Sequence, residues 1–380
     1  MARNDGDNMT GPNLSSLLLD EWDATARATS DQGASDRLRL VRRVRSRRRR
    51  AHATRAAAVT AASGALILGG LGVAQAVANR GGAVGPASPT STDPTEPSAT
   101  TLLLLRVDLL PDDPDAAPSG NLATTPRLDS TALVHISADG SLVETASLSG
   151  FALTDAAACP LSDGSTVPAA AETVRQHVNL AMERGTFADG VACAEATSTA
   201  ATGIDFDGVI VTDFSGFVAT ADALGGAVVC IPEAIVSANS QLALEPGTQR
   251  LNGIELLSLS RARNGTGLGG GDDESRTDRE SRVMAALATS ARDALNAGGV
   301  EAEALIDGSY VTGGPADPAW VAATAEKLAT VPNGAIVALA VPLEIPAVGD
   351  AYFGAAAHQM FTDIANDVPV DAAVVAACAS

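Results

Sequence analysis

The sequence predicts an α/β (α+β) protein in which a mixed central β-sheet is flanked by helices on both sides and preceded by a single transmembrane helix. Three observations lead to this prediction. From residue 101 onward, short apolar runs alternate with segments of helical periodicity, as expected when helices cover a sheet. Residues 56–78 form an apolar run without a charge that is long enough to cross a bilayer. Residues 79–100 are rich in Pro, Ser and Thr, which is typical of an extended linker.

The basic residues are unevenly distributed along the chain. Residues 1–55 hold 12 arginines and seven acidic residues, whereas the whole chain has a net charge of −20. Basic residues beside an apolar span mark the cytoplasmic side of a membrane. We therefore expect a largely disordered, basic cytoplasmic tail at 1–55, a membrane-spanning helix at 56–78 and an extracytoplasmic remainder. The protein would then be a single-pass protein of the cell membrane with its N-terminus in the cytoplasm.

Two other interpretations fit the N-terminal region less well. The arginine run at 42–55 could form a nucleic-acid-binding arm, but the apolar span that follows it favours a membrane anchor. Aromatic residues make up only 3% of the chain, too few to provide a platform for stacked bases, so no nucleic acid is expected as a partner. A cleaved signal peptide would begin nearer the N-terminus and have a shorter apolar core.

The globular part is predicted to run from 101 to 368, followed by a C-terminal tail at 369–380. Strand-like runs lie at 101–107, 130–136, 142–148, 208–213, 227–231 and 335–341. Helical patterns lie at 168–184, 214–224, 251–258, 283–297, 318–330 and 358–365. Pro168 suits the first position of a helix, and Asp317 suits an N-cap. Gly225 and Gly226 suit the end of the helix at 214–224.

All four cysteines lie on the C-terminal side of the predicted linker, at Cys159, Cys193, Cys230 and Cys378. An even number in an exported domain fits two disulfides, and no pair has the C-x-x-C spacing of a zinc site. Cys159 with Cys193 is the preferred pair because the two lie in one local region, and Cys230 with Cys378 would follow. Three pairings are possible, and the sequence does not choose among them.

One segment, 251–282, concentrates arginines at two spacings. The five are Arg261, Arg263, Arg276, Arg279 and Arg282. The first two are separated by one residue and point to the same side of an extended chain. The other three repeat every third residue and stay within a broad face of a helix. Guanidinium groups that converge need an anion, and their paired donors fit phosphate oxygens, so a diphosphate is the expected ligand. The alternative is a solvated helix paired to its own acidic residues.

Other chemistries are less well supported by the sequence. The run at 265–270 has the glycine spacing of a nucleotide loop, but it does not open a helix after a strand, so a dinucleotide site is not expected. No G-x-S-x-G sequence occurs, so nothing indicates a serine hydrolase.

Several motifs in order resemble one known family. They are a strand at 102–108 that ends in Asp108, R-x-D-S at 127–130, DFSGF at 213–217, ALGG at 223–226, PG at 246–247, LNG at 251–253, R-x-R at 261–263 and D-x-x-R-x-x-R at 273–279. Their order and spacing resemble the LytR-CpsA-Psr (LCP) family, in a divergent actinobacterial-type form. The resemblance covers 102–364 and includes the membrane-anchored, extracytoplasmic arrangement.

The resemblance implies a phosphotransferase that joins a glycopolymer, carried on polyprenyl diphosphate, to a sugar hydroxyl of peptidoglycan. The partners implied are this lipid-linked polymer, peptidoglycan and membrane lipid, with the lipid tail in an apolar groove. The catalytic residues implied are Arg261, Arg263, Arg276 and Arg279, and these four bind substrate together with Arg127. Asp108 and Asp129 would hold Mg²⁺ or Mn²⁺ on the diphosphate, the alternative being ordinary carboxylates in turns at strand ends.

The chain departs from the family pattern at three places. Gly150 and Phe151 stand where the family has Arg-Asp, Leu110 replaces the Arg of an opening D-S-R motif, and Glu280 replaces a Gln. Two hypotheses follow from these changes. The first is an active, divergent phosphotransferase. The second is a catalytically weak or inactive protein that binds polyprenyl-linked polymer or cell wall as a scaffold or regulator.

Overall fold

A computed structural model describes residues 98–116, 124–269, 273–346 and 350–370, with only the backbone of Asp273, and all of them belong to one compact unit, Ser91–Ser380. The predicted tail at 1–55, the predicted span at 56–78 and most of the predicted linker lie outside the described residues. Within the described ranges, no helix is both long enough and apolar enough to cross a membrane.

The strands of the described residues are β1 Thr100–Val107, β2 Leu128–Ile136, β3 Val143–Leu148, β4 Leu153–Ala156, β5 Cys159–Pro160, β6 Thr166–Val167, β7 Ala170–Thr173, β8 Gly208–Asp213, β9 Ala227–Ile231, β10 Ile235–Ser237, β11 Leu242–Leu244, β12 Gly247–Leu251, β13 Tyr310–Gly313, β14 Ile336–Leu339, β15 Leu343–Glu344 and β16 Tyr352–Phe353. The helices are α1 Val174–Arg184, α2 Phe187–Thr202, α3 Phe214–Ala223, α4 Gly253–Arg261, α5 Asp273–Asn296, α6 Pro318–Thr330 and α7 Ala355–Ala365.

The central sheet has six strands in the order β13-β8-β1-β2-β3-β14. β1 pairs antiparallel with β2 and parallel with β8. β3 pairs antiparallel with β2 and parallel with β14, and β13 is antiparallel to β8. The predicted mixed central sheet is therefore confirmed. Its innermost strand, β1, is an apolar run with one charged residue, as expected for a strand covered on both faces.

Helices cover both faces of the sheet, as predicted. Alternate residues of a strand point to opposite faces, so Leu103, Leu105 and Val107 of β1 share one face, where they pack in one core cluster with side chains of α1 and α2. Leu102 and Leu104 point to the other face, which α3, α5 and α6 cover. We call the side covered by α1 and α2 the first face and the other side the second face.

Helix starts follow local capping chemistry. Asn252 caps α4, where its side chain accepts hydrogen bonds from the backbone of Ile254 and Glu255. Asp317 caps α6, as the sequence indicates, by accepting from the backbone N–H of Ala319. Both helices therefore begin where a short polar side chain satisfies donors that a helix start leaves open.

Two predicted helices begin at a different residue, and one helix was not predicted. The helix predicted at 168–184 begins at Val174, because residues 170–173 form β7 and Thr173 caps the helix. The helix predicted from 283 begins at Asp273, so α5 carries the three-residue arginine repeat. Helix α2 is absent from the prediction, because its small residues show little periodicity, although Thr186 and Asp189 form a capping box at its start.

The predicted Cys159–Cys193 disulfide is confirmed, with both residues buried among Leu161, Val167 and Ala181. It joins the β5 hairpin to α2 across a sequence separation of 34 residues. Cys378 lies outside the described residues, so a pair with Cys230 stays a prediction.

We expect the double variant Cys159→Ala/Cys193→Ala to lose about 2–4 kcal/mol in free energy of unfolding, because the bridge restricts the unfolded chain. Urea unfolding followed by circular dichroism measures this loss. A single Cys193→Ala variant should lose about as much as the double variant, because either change opens the loop. If the losses of Cys159→Ala and Cys193→Ala sum to the loss of the double variant, side-chain packing, not the bridge, carries the effect.

Candidate functional site

The site is built on an irregularity at the ends of β1 and β2. The pairing changes from Arg106↔Ser130 to Val107↔Leu128, so Asp129 is the extra residue of a β-bulge. A bulge redirects a side chain at a strand end. Here it brings the Asp129 carboxylate to Arg106, whose Nε donates a hydrogen bond to Oδ2 over 3.0 Å.

Arg106 is the centre of a line of alternating charges. Its Nη2 lies 3.0 Å from Asp129 Oδ2 and 2.8 Å from Glu280 Oε1, contacts of ion-pair distance without hydrogen-bond geometry. Nη1 of Arg276 donates to Glu280 Oε2 over 3.2 Å. At the other end, Nε of Arg261 donates to Asp129 Oδ1 over 3.2 Å. These five residues, called here the charge chain, hold three guanidinium groups and two carboxylates.

The charge chain is buried at one end and exposed at the other. Glu280 and Arg276 are almost completely buried, and Arg106 is 4% exposed. Ser147 of β3 also donates to Glu280 Oε2 over 3.0 Å, so the carboxylate is well satisfied. Arg261 is 44% exposed. The guanidinium group that can meet a ligand from solvent is therefore that of Arg261.

Asp129 stays ionised in this setting. Burial raises its pKa, but the charges and hydrogen bonds of Arg106 and Arg261 outweigh burial and hold the pKa below the usual value. A carboxyl group whose pKa is lower in the folded state stabilises the folded protein at a pH above its unfolded-state pKa. This stabilisation is lost as the pH falls through the folded-state pKa.

We therefore expect Asp129→Asn to lower the free energy of unfolding by about 1–3 kcal/mol at neutral pH, because two charged hydrogen bonds are weakened. The difference from the unmodified protein should shrink as the pH falls below 3.8, the ordinary value for aspartate. Urea unfolding between pH 3 and pH 7 measures it, with Asp155→Asn, an exposed aspartate, as control. A difference that is constant over this range contradicts an ionised Asp129.

Phenylalanine rings support the arginines of the site. The guanidinium carbon of Arg261 lies 4.1 Å from the ring centroid of Phe214, the first residue of α3. Arg106 lies 5.3 Å from the ring of Phe217. Arg263 lies 4.8 Å from the ring of Phe151. A ring face attracts a cation and orients it without adding a full negative charge.

The other predicted residues have different contacts. Arg279 is buried and donates to the backbone carbonyls of Ala262 and Leu268, so it fastens the segment after α4 to α5. Nη1 of Arg127 lies 3.6 Å from Oε1 of Glu183 on α1. Asp108 is exposed and accepts from the backbone N–H of Arg127 over 2.9 Å. The roles proposed for these residues in catalysis and binding stay predictions.

Sequence reasoning missed Arg106, the residue at the centre of the charge chain. The sequence pattern predicts only an ordinary buried strand around Arg106. The available signal was a single charged residue within an apolar strand, since a buried charge needs a partner. The supporting rings of Phe214 and Phe217 were likewise not identified, because the contacts between helices and the 261–263 segment are not readable from the sequence.

A cavity of about 250 Å³ lies between the second face of the sheet and helices α3, α5 and α6. Its wall is mainly aliphatic, with Leu102 and Leu104 from the sheet and Leu287 from α5 among the lining residues. Arg106 and Glu280 belong to the same wall. Two buried members of the charge chain, Arg106 and Glu280, therefore border an apolar cavity.

Two carboxylates were predicted to hold a divalent cation. The donor set suits Mg²⁺, which prefers one or two carboxylates, and Asp108 is exposed while Asp129 is ionised. Both oxygens of Asp129 contact arginines, however, and only Arg261 among these partners is exposed. The residues fit the ion provided that Arg261 releases Asp129 Oδ1. Among the described residues, a three-residue cluster with ligand spacing is Cys159, His177 and Cys193, whose sulfurs form the disulfide.

The fold and the site define an α/β domain with an apolar cavity whose wall includes a buried guanidinium–carboxylate pair, Arg106 and Glu280. The chain belongs to the LytR_cpsA_psr family, whose model matches residues 83–331. At the family level this supports a cell wall glycopolymer transferase. No curated protein matches the sequence at a significant level.

Several solved structures are similar to this chain at low sequence identity. A protein of Streptococcus agalactiae, gbs0355, is 17% identical, covers 74% of this chain and 93% of its own, and has a TM-score of 0.50. A LytR-Csp2A-Psr enzyme from Actinomyces oris is 19% identical over 74% of this chain and 94% of its own, with a TM-score of 0.48. TagT bound to LI-WTA is 16% identical over 72% of this chain and 92% of its own, with a TM-score of 0.48.

Proposed function

We propose that this protein is an LCP phosphotransferase that takes a glycopolymer from polyprenyl diphosphate and joins it to a hydroxyl group of peptidoglycan. The observation that carries the proposal is that the charge chain runs from the wall of the apolar cavity, at Arg106 and Glu280, to the exposed Arg261. A polyprenyl diphosphate has a doubly charged head next to an apolar tail, so one pocket must offer both environments.

The head group would lie at the exposed end of the charge chain. Arg261 has two or more donors free of the Asp129 contact through Nε, since a guanidinium group carries five N–H donors. Phe214 and Asp129 fix its position, so little conformational freedom is lost when it binds a phosphate. Arg263, two residues farther along the same segment, is the second donor that we assign to the head group.

In the reaction we propose, a sugar hydroxyl oxygen of peptidoglycan attacks the phosphorus that carries the glycopolymer. A new phosphorus–oxygen bond forms, the bond to the bridging oxygen breaks, polyprenyl phosphate leaves and the hydroxyl proton passes to solvent. Phosphoryl transfer depends mainly on positioning and charge neutralisation. Arg261 and Arg263 would hold the non-bridging oxygens, and the cavity would hold the lipid.

A divalent cation remains part of the proposal. Asp108 and Asp129 would hold Mg²⁺ or Mn²⁺, which would neutralise phosphate charge when bound.

The membrane span at 56–78 and the extracytoplasmic position of the domain are also proposed, because a lipid-linked substrate requires a site near the membrane surface.

The second candidate is a binding protein with weak or no turnover. The observation that favours it is the occupation of both Asp129 oxygens by arginines, together with Gly150 and Phe151 at the place where the family resemblance expects Arg-Asp. Complementation of a strain that lacks active homologues separates the two candidates. Full rescue supports the enzyme, whereas no rescue at normal surface expression supports the scaffold or regulator.

Binding by the full-length protein in detergent tests the pocket. Geranylgeranyl diphosphate should bind more tightly than inorganic diphosphate, because the cavity buries its tail. Thr324 lines the cavity on α6. Thr324→Phe should weaken binding of the lipid by about tenfold or more and leave inorganic diphosphate unchanged. Ala323→Phe, on the exposed side of the same helix, is the matched control. Equal affinities for the two ligands contradict a lipid-binding cavity.

A further inference from the structure

The two oxygens of the Asp129 carboxylate have arginine partners that differ in exposure. Oδ2 lies 3.0 Å from both Nε and Nη2 of Arg106, whose side chain is 4% exposed. Oδ1 accepts a hydrogen bond from Nε of Arg261 over 3.2 Å, and the Arg261 side chain is 44% exposed. A buried guanidinium group therefore holds one side of the carboxylate, and a guanidinium group that water reaches holds the other side.

The contact with Arg106 is the one that the fold retains. Arg106 lies between two carboxylates, since its Nη2 is also 2.8 Å from Oε1 of the buried Glu280. Moving this guanidinium group would take a buried positive charge away from both carboxylates, which is costly in a folded interior. Arg106 therefore stays at Oδ2, and an exchange of partners at Asp129 takes place at Oδ1.

The contact with Arg261 is exchanged more easily. An exposed ion pair contributes little to stability, because water screens it and a long side chain loses freedom when it pairs. The guanidinium carbon of Arg261 also lies 4.1 Å from the ring centroid of Phe214, and this second contact does not involve Asp129. Arg261 can therefore turn its donors from Oδ1 to another anion while the ring keeps it at the site.

A divalent cation and Arg261 compete for the same side of the carboxylate. A cation bound at Oδ1 would lie within about 5 Å of Arg261 Nε, because a Mg²⁺–oxygen bond is about 2 Å long and Nε is 3.2 Å from Oδ1. Two like charges at this separation repel each other. A phosphate group has the opposite effect, since it accepts the donors of Arg261, leaves Oδ1 available and adds negative charge beside it.

We propose that Arg261 is a gate on the Asp129 carboxylate, which keeps a divalent cation from Oδ1 until an anion draws the guanidinium group away. Cation and diphosphate then bind with positive coupling, and each tightens binding of the other by the same factor. This inference rests on the proposed function, because it sets how the two groups bind at that same site. It gives Arg261 two opposite effects, favourable for phosphate and unfavourable for the cation.

Binding of Mn²⁺ to the full-length protein in detergent, without phosphate, tests the gate. Electron paramagnetic resonance of the free ion measures the affinity. Arg261→Gln should tighten Mn²⁺ binding by about tenfold, because a nearby like charge and a competing donor are removed. Arg261→Lys keeps the charge and should gain less. Arg250→Gln removes a guanidinium group from another exposed position and should bind Mn²⁺ like the unmodified protein.

A further variant identifies Asp129 as the ligand, which is necessary because the chain has 45 acidic residues. The gain of Arg261→Gln should disappear when Asp129→Asn is added to it. Asp155→Asn changes an exposed aspartate elsewhere, so the double variant Arg261→Gln/Asp155→Asn should keep the gain. Circular dichroism of each variant shows whether it is folded under the conditions of the titration.

An anion that binds Arg261 should act like removal of its side chain. Replacing chloride by sulfate at constant ionic strength should tighten Mn²⁺ binding in the unmodified protein and have a smaller effect in Arg261→Gln. Sulfate associates with Mn²⁺ in solution equally for both proteins, so the difference between them reports the gate. Transfer of glycopolymer by Arg261→Gln should still fall, and tighter cation binding with slower transfer distinguishes a gate from a structural residue.

The outcomes separate the gate from the proposed function. If no protein binds Mn²⁺ more tightly than its own Asp129→Asn version, the cation site of the proposed function is wrong and the gate is wrong with it. If Asp129→Asn weakens Mn²⁺ binding while Arg261→Gln behaves like Arg250→Gln, the cation site stands and the gate is overturned. Equal effects of sulfate on the unmodified protein and on Arg261→Gln overturn the coupling to an anion. A failed lipid-binding test leaves these outcomes readable, because the Mn²⁺ titrations contain no lipid-linked ligand.

Discussion

Glu280→Gln should lower the free energy of unfolding by about 3–5 kcal/mol, because removing the charge of one member of a buried charge network leaves its partners less well compensated. Glu280 is 1% exposed, and its carboxylate contacts two buried guanidinium groups, those of Arg106 and Arg276. Glutamine keeps the size of the side chain and one acceptor oxygen. The loss therefore reports the charge, not a cavity.

Urea unfolding at neutral pH measures this loss. Glu326→Gln, the same change at an exposed position of α6, should alter stability by less than about 0.5 kcal/mol. Adding Arg276→Met to Glu280→Gln should recover part of the loss, because one of the two guanidinium groups that lost its contact with the Glu280 carboxylate is then removed. Strictly additive losses, or a Glu280→Gln variant as stable as the control, would mean that the buried carboxylate is not what holds the two arginines.

Glu280 thus has a structural explanation that the sequence did not provide. From the sequence alone, Glu280 is a negative charge that would repel phosphate at the predicted site. In the structure it neutralises Arg106 and Arg276 on the buried side of the site, and Ser147 completes its hydrogen bonding. The arginines on the exposed side are the ones left to bind an anion.

Arg261→Ala should reduce transfer of glycopolymer from the lipid carrier by about 10²–10³-fold, the size of effect seen when one preorganised donor to a developing charge is removed. Arg261 is the exposed end of the charge chain, and it is held by Phe214 and Asp129. Its own contribution to stability is small, because it is 44% exposed and solvent screens its ion pair. Activity should therefore fall without unfolding.

Release of labelled polyprenyl phosphate from a labelled lipid-linked polymer measures the transfer rate. Arg250→Ala removes a guanidinium group from another exposed position and should leave the rate unchanged. Arg261→Lys should retain an intermediate rate, because the charge stays while the paired donors are lost. An Arg261→Ala variant that transfers at the unmodified rate would exclude the exposed end of the charge chain as the reaction site.

Much of the fold could be predicted because its signals are local. The apolar run that forms β1 and the cap at Asp317 each act within a few residues. Helix α2 could not be predicted from periodicity, since alanine and threonine residues fill both its buried and exposed positions. Its stability comes from packing against the sheet and from the disulfide.

The sequence by itself determined the class of fold, the family resemblance and the concentration of arginines near 261–282, and it favoured the local disulfide. The tertiary structure alone decided which of those arginines reach the surface. Arg276 and Arg279 lie on the buried side of α5, while Arg261 ends α4, Arg263 follows it, and both rest on phenylalanine rings. The physical reason is that a buried charge is neutralised by partners from distant strands and helices, and these partners meet only when the sheet and its helices have packed together.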